Sequence, residues 1–478
     1  MHFVRRFKSL PLASACFLSA LLTLPALAEW QVNSATSPTI LSNAETGWTL
    51  TVKKETGGLI LQSTTAGEGR LDLTDVETDT GWKVTSVQRA TLAITSLVAP
   101  DVTLIYGSAF QGQTNLTSVV VSDAIDTIGR MAFSGCSKLR TFSPTTLSAL
   151  TSLGESAFSS CTNLVGDFSF PVLSALPKYA FNGTRISSVS LPSAESVGSY
   201  AFHGCTLLAN LECSISLTTV SGYAFVNCPL APRLELPGAM TIGDMAFYGT
   251  GVEEVLLPSV ISIGANAFDS SPNLERVVAS ESLESVGKLA FYNCSQLQSF
   301  NPWCLPRLET LGSQAFCGCT ELAGDFSFPR LAAIPYMGFQ GTKVSSVRAP
   351  AATTIGDRAF VSASLLTNLV MRGSSTAVPR YTFSGISAGA RIWWLGKEAP
   401  VSFGAITLAA GTGTDRARVY VKNGHDRENW ERRCTRTAPT AADMALADYP
   451  GAKRLIGVMG NTAWVLRTGD DGTMIRLL

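Results

Sequence analysis

The chain has 478 residues, room for three ordinary globular domains or for one long repeat array. Charged residues make up only 15% and the formal net charge is zero, which removes the electrostatic case for binding nucleic acid or an anionic membrane surface. Ser and Thr fill the polar positions instead, so solubility rests on hydroxyls.

The first 28 residues read as an export signal. Arg5, Arg6 and Lys8 form a positive start, Leu10 to Leu24 an apolar run, and Ala26, Leu27 and Ala28 a small-residue cleavage site. The bland alternative is an uncleaved anchor; Pro11, Pro25 and the small residues before Glu29 favour cleavage. Cys16 is badly placed for a lipoprotein signal, and Arg5-Arg6 is a weak twin-arginine signal. No later run reaches the roughly 18 apolar residues of a membrane span. The mature chain is therefore expected to start near Glu29, with no integral span. It should be secreted, extracellular or on the cell surface, with the periplasm as the other destination.

Residues 29–91 carry strand-like runs at Gly47–Val52, Gly58–Leu61 and Leu71–Leu73, read as a β-rich N-terminal cap that shields the open edge of the first coil. From 92 to 390 the chain repeats. A Phe, usually preceded by Ala, recurs at 110, 133, 158, 181, 202, 225, 247, 268, 291, 316, 339, 360 and 383, with spacings of 21 to 25 residues. Five residues before each Phe stands an aliphatic residue, from Ile105 and Ile128 to Ile355 and Val378. The residue after it is mostly Gly, as at 129, 243, 264 and 356, or Pro, as at 177, 335 and 379. That choice reads as a fixed turn of backbone. Upstream runs such as Val189-Ser190-Leu191-Pro192 and Val255-Leu256-Leu257-Pro258 alternate like half-buried strands. Each repeat thus encodes a strand, a turn, a second short extended piece and an Ala-Phe corner. One coil cannot bury its own apolar face, so about 13 of them must stack, with the Phe rings forming an internal ladder. The array also contains a larger copy: Leu164–Pro171 returns as Leu322–Pro329 and Gly183–Val189 as Gly341–Val347, an offset of 158 residues. Growth by block copying suits a scaffold better than a single-site enzyme. Residues 391–478 are read as a mixed C-terminal cap: a strand, a short charged helix around Asp426–Arg433, and a hairpin across Asp470-Asp471-Gly472.

The spacing of Cys294 and Leu297, together with Leu257-Pro258, Ile263-Gly264 and Ala267-Phe268, resembles the BspA-like, or Treponema-type, leucine-rich repeat. The resemblance covers about residues 92 to 390. It implies a right-handed coil of short parallel strands, mainly β with little helix, in a secreted or surface protein of a bacterium or protist. It further implies adhesion or binding to host or matrix proteins or to other cells. The family motif is structural, so it carries over no functional residue.

Six cysteines (Cys136, Cys161, Cys205, Cys228, Cys294 and Cys319) fall three residues after a repeat Phe, a slot that Thr184, Thr250, Ser271 and Thr342 fill elsewhere. A slot open to Cys, Thr and Ser is a small, half-polar packing position, so buried thiols are expected. An oxidised pair between stacked neighbours such as Cys136 and Cys161 stays open in an exported protein. Cys317 and Cys319 lack the partners of a zinc site.

After export only His203 and His425 remain, too few to suggest a nucleophile–base pair. The acidic group Asp72, Asp75, Glu77 and Asp79 misses the calcium-loop spacing and reads as a solvated turn. Gly411 to Arg416 breaks the dinucleotide pattern at its last place. Arg427, Arg432, Arg433 and Arg436 around Trp430 interleave with acids and read as a salt-bridged surface, and Trp393-Trp394 as an apolar plug. No catalytic, cofactor-binding or metal-binding residue is assigned, no cofactor is expected, and the ligand-binding residues stay unassigned. The expectation is a non-enzymatic binding or adhesion protein whose partner is a protein or another surface ligand. A self-associating envelope or extracellular layer is the alternative, and a carbohydrate-active enzyme a distant third. The polar residues alternating with core ones, such as Arg233, Glu235, Glu253, Ser345 and Arg348, are the candidate contacts.

Overall fold

The computed structural model of the protein describes residues 30–34, 39–90, 94–374, 378–379, 381–387, 390–395, 418–421, 454–459, 462–469 and 472–477. The export segment, the charged stretch 426–433 and the segment 411–416 lie outside the described residues. The chain winds into about 15 turns of parallel strands with almost no helix.

Each turn contributes one longer strand and one two-residue strand, and the stacked turns therefore form two parallel sheets. Glu254–Leu257, for example, lies between Arg233–Glu235 and Arg276–Ala279, in register. The two-residue strand Ser262–Ile263 lies between Thr241–Ile242 and Ser285–Val286. In Glu254–Leu257 the residues alternate between half-exposed and buried, the pattern expected of a strand with one face on the core. Before the array, Trp30–Ser34, Thr39–Asn43, Thr49–Glu55 and Gly58–Ala66 pair antiparallel. Gly58–Ala66 then pairs parallel with Val84–Val87, which hands the sheet on to the two-residue strands. At the other end Arg391–Trp394 and Arg418–Val421 continue the parallel stack. Thr462–Gly469 and Gly472–Leu477 pair antiparallel.

The third side of each turn is the Ala-Phe corner. From Phe110 to Phe383 the thirteen rings stack in sequence at centroid separations of 5.0–6.3 Å and tilts of 2–20°. These separations are those of offset aromatic pairs. Every ring is buried, which contributes about 2 kcal/mol apiece by apolar area. The backbone is stitched in parallel with the rings: the Phe247 amide donates to the Ala267 carbonyl at 2.8 Å, and Phe268 does the same to Ala290. Three amides of one corner point the same way along the axis, and the residues that carry the first and the third are left-handed. The position two before Phe accordingly has φ between 51° and 63° in twelve turns, whether it is Ser108, Tyr179, Met245, Leu289 or Arg358. The position two after Phe is left-handed as well, and there the sequence offers Gly112, Gly135 and Gly183 or the tolerant Ser160, Asn227 and Asn293.

The glycine just after the short strand has a different reason from the fixed turn that its alternation with Pro suggests. Gly129, Gly243 and Gly264 have no left-handed φ. A Cβ on Gly264 would instead lie 2.6 Å from the Asp244 backbone nitrogen of the preceding turn. The requirement is close approach between coils. Where Pro stands there, a hydrogen bond is missing: Gly264 N donates to Ile242 O at 2.8 Å, whereas Pro177 and Pro335 have no amide hydrogen to give. The short-strand sheet breaks at these two places, between Ser152–Leu153 and Ala175–Leu176 and again between Thr310–Leu311 and Ala333–Ile334. The long-strand sheet breaks at the same boundaries, where the bridges Thr146–Ser169 and Cys304–Ser327 remain, and once more between Asn210–Cys213 and Arg233–Glu235.

Candidate functional site

The cysteine slot belongs to the scaffold. Cys136 Sγ donates to the Phe110 carbonyl of the preceding turn at 3.0 Å, and Cys161, Cys205, Cys228, Cys294 and Cys319 repeat the contact at 3.0–3.1 Å. Thr184 and Thr250 meet the same need by donating to the Phe carbonyl of their own turn. All six thiols are buried and free. Burial pushes the Cys294 thiol up to about 12 and Cys205 to about 11, and raises Cys161, Cys228 and Cys319 well above the ordinary thiol value. A thiol held protonated and sealed from solvent is neither a nucleophile nor a metal ligand.

The acidic group 72–79 forms a five-residue helix, Val76–Thr80, where a turn is expected from sequence, because Val76 drops into the core. Three of its four carboxylates are taken up: Asp72 by Arg70 at 2.7 Å, Glu77 by Lys83 at 3.1 Å, and Asp79 by the Trp30 amide at 2.8 Å. His203 lies beside the Tyr200 ring, 5.7 Å between centroids, on a stack of Tyr179, Tyr200 and Tyr223. Among the described residues no group of three or more His, Cys, Asp or Glu is placed to hold a metal ion.

What remains is the outward face of the long strands. In mid-array this face neutralises itself. Arg233 pairs with Glu235 at 2.6 Å and with Glu254 at 3.6 Å, and Glu254 reaches Arg276 at 3.4 Å. Alternation in the sequence points to Glu253 in this row, but the strand begins at Glu254, and Glu254 is the residue that bridges the two arginines. Ser345 donates to the Asp325 carboxylate at 2.6 Å.

Further along, the face changes character. Arg348, Thr367, Asn368, Val370, Arg391 and Trp393 line a shallow depression of about 870 Å³. Register places Arg348, Val370 and Trp393 side by side across three strands, and Asn368 beside Arg391. Trp393 is no plug. Ile392 takes the inward position, so the strand alternation turns Trp393 outward, where it is 37% exposed. Among the described residues neither Arg348 nor Arg391 has a carboxylate partner. The plug expectation fails at Trp393 for a simple reason: adjacent tryptophans read as apolar bulk until the strand phase is known, and the side chain of Trp394 lies outside the described residues.

A continuous core wound from parallel two-strand turns, with variable outward residues, defines a leucine-rich-repeat solenoid. The family model for the BspA type leucine rich repeat region matches residues 89–192, 174–298 and 304–390, in six copies, and the chain belongs to this family. Among solved structures, a leucine-rich repeat protein from Bacteroides ovatus is 21% identical, with 73% of this chain and 93% of that one covered and a TM-score of 0.49. A leucine rich cell surface protein from Faecalibacterium prausnitzii is 18% identical, covering 85% and 100%, with a TM-score of 0.35. The pneumococcal vaccine antigen PcpA is 16% identical, covering 83% and 96%, with a TM-score of 0.30. Among curated proteins none matches. No helix among the described residues is long and apolar enough to cross a membrane.

Proposed function

We propose that the protein is an exported, non-catalytic recognition module that binds other proteins through the outward face of its long strands. One observation carries the reading. Over the duplicated block most inward residues keep their apolar type while one outward row is rewritten: Ser190, Glu212 and Glu235 stand where Arg348, Val370 and Trp393 stand 158 residues later. A scaffold that holds its core and varies its surface is what recognition requires of a repeat array. The basic start, apolar run and small-residue site in residues 1–28 support export, with residues 29–91 and 391–478 as caps on the array.

The test is binding of the purified protein to an array of matrix proteins, plasma proteins and glycans, with an unrelated repeat protein as control. A saturable protein hit that survives physiological salt is the expected result. Silence across the array together with concentration-dependent self-assembly would replace this reading with a structural layer.

A further inference from the structure

We infer that the depression around Arg348, Arg391 and Trp393 takes an acidic segment of a partner protein, laid out in extended form with two carboxylates flanking an apolar side chain. The inference rests on the reading of this face as a protein-recognition surface and names the chemistry it selects.

The charge argument comes first. Arg233, the counterpart of Arg391 in the first copy, is held by Glu235 at 2.6 Å and by Glu254 at 3.6 Å. The residue 158 positions after Glu235 is Trp393, so the copy has exchanged the partner carboxylate for an aromatic ring. Glu212 has likewise become Val370, and Ser190 has become Arg348. Three changes on one row therefore remove two acids and add a guanidinium. Neither Arg348 nor Arg391 regains a carboxylate among the described residues. Guanidinium groups so placed favour carboxylates, which they grip through paired N–H donors.

The shape argument comes second. Arg348 and Arg391 stand two strands apart and two residues out of line, roughly 12 Å between their backbones by standard sheet spacing. An extended peptide advances about 3.3 Å per residue with alternate side chains on opposite faces, so acids four residues apart share a face and match that separation. On the strand between the arginines lie Asn368 and Val370, the latter 7% exposed, and the half-open ring of Trp393 adjoins Val370. An apolar side chain set between the two acids meets this floor. Tryptophan and arginine around an apolar floor are also the residues that dominate binding energy at protein interfaces. A uronic-acid glycan meets the arginines as well but brings no apolar side chain to cover Val370, and polygalacturonate is therefore an arm of the test.

The experiment uses the full protein and a fluorescein-labelled peptide with two glutamates four residues apart and leucine midway between them. Saturable binding by anisotropy is expected. It should weaken at least tenfold when both glutamates become glutamine, and at least tenfold in R348Q, R391Q or W393A. The double variant R348E/R391E should instead prefer the lysine version of the peptide, a gain that a misfolded variant cannot produce. Equal binding of the glutamate and glutamine peptides, indifference to all three variants, or binding of polygalacturonate in place of the peptide would overturn the inference. A protein hit on the array that ignores Arg348 and Arg391 would remove this site and leave the recognition reading standing. Peptide binding with a silent array would do the reverse.

Discussion

The molecule contains its own control experiment, because the turns from Phe110 to Phe225 and those from Phe268 to Phe383 are two versions of one block. Inside, they agree at most positions. Phe142 sits edge-on to Phe133 and Phe158 at 76° and 81°, and Phe300 sits edge-on to Phe291 and Phe316 at 79° each. Cys136 and Cys161 return as Cys294 and Cys319, with the same bond to the preceding Phe carbonyl. Outside, the versions diverge: the stack of Tyr179 and Tyr200 gives way to Met337 and Arg358, and Thr145 becomes Trp303, packed edge-on to Phe326. Geometry explains the contrast. A buried side chain is fixed by the turns above and below it, whereas an outward one answers only to its immediate row.

If the two cores are equivalent, the same lesion must weaken each to the same degree. Phe158→Ala and Phe316→Ala are expected to lose about 3–5 kcal/mol each, since neighbouring rings on both sides prevent the gap from closing. Thermal or denaturant melts that differ by more than about 1 kcal/mol between the two would break the equivalence. Gly129→Ala and Gly287→Ala form a second matched pair. On Gly287 the new methyl would lie 2.5 Å from the Ala265 nitrogen, and on Gly129 it would meet the backbone of Gly107. Each should cost about 1–3 kcal/mol by overpacking, and a neutral result would show that adjacent coils can part there.

Alkali should separate the copies instead. The folded state holds the Cys205 and Cys294 thiols at about 11 and about 12, above the unfolded value of roughly 8.5. The unfolded chain therefore loses these protons first. Their contribution is complete below pH ~8.5 and declines as pH climbs towards the folded values, by up to ~1.4 kcal/mol per unit for each thiol. The first copy carries Cys205 and Cys228 where the second has Ala363 and Ile386. Hydrogen exchange between pH 8.5 and 10.5 should open the first copy sooner. Equal loss of protection in both would mean the thiols do not control it. The smallest effect is expected on the outward face. Glu235→Gln removes the Arg233 pair, but both side chains are more than half exposed, so stability should change by less than about 0.5 kcal/mol. A larger loss in the melting curve would show that surface rows also bind the coils together.

These contrasts explain what the sequence could and could not disclose. Inward positions repeat at fixed intervals, so the Phe ladder, the aliphatic residue five before it, the paired strands and the small half-polar slot were all legible from spacing. The glycine after the short strand was visible but its reason was not, because close approach between coils is a property of two turns and the sequence presents one at a time. The left-handed position two before Phe left no trace. Its side chain points to solvent, so Tyr, Met, Leu and Arg all occur, and the strain is offset by amide bonds to the next turn. The depression at Arg348 and Trp393 was half legible: Arg348 stood out by alternation, whereas Arg391 and Trp393 needed the register between strands.

The two prolines have a mechanical consequence. At Pro177 and Pro335 both sheets are interrupted together, and the rings, the corner amides and single bridges carry the joint. A rod pulled from its ends parts where the fewest bonds cross a section. Under tension this one should lengthen in discrete steps at those two planes first, and the turns from Phe181 to Phe316 should stay wound longer, held across the gap between Cys213 and Arg233 by the unbroken short-strand sheet.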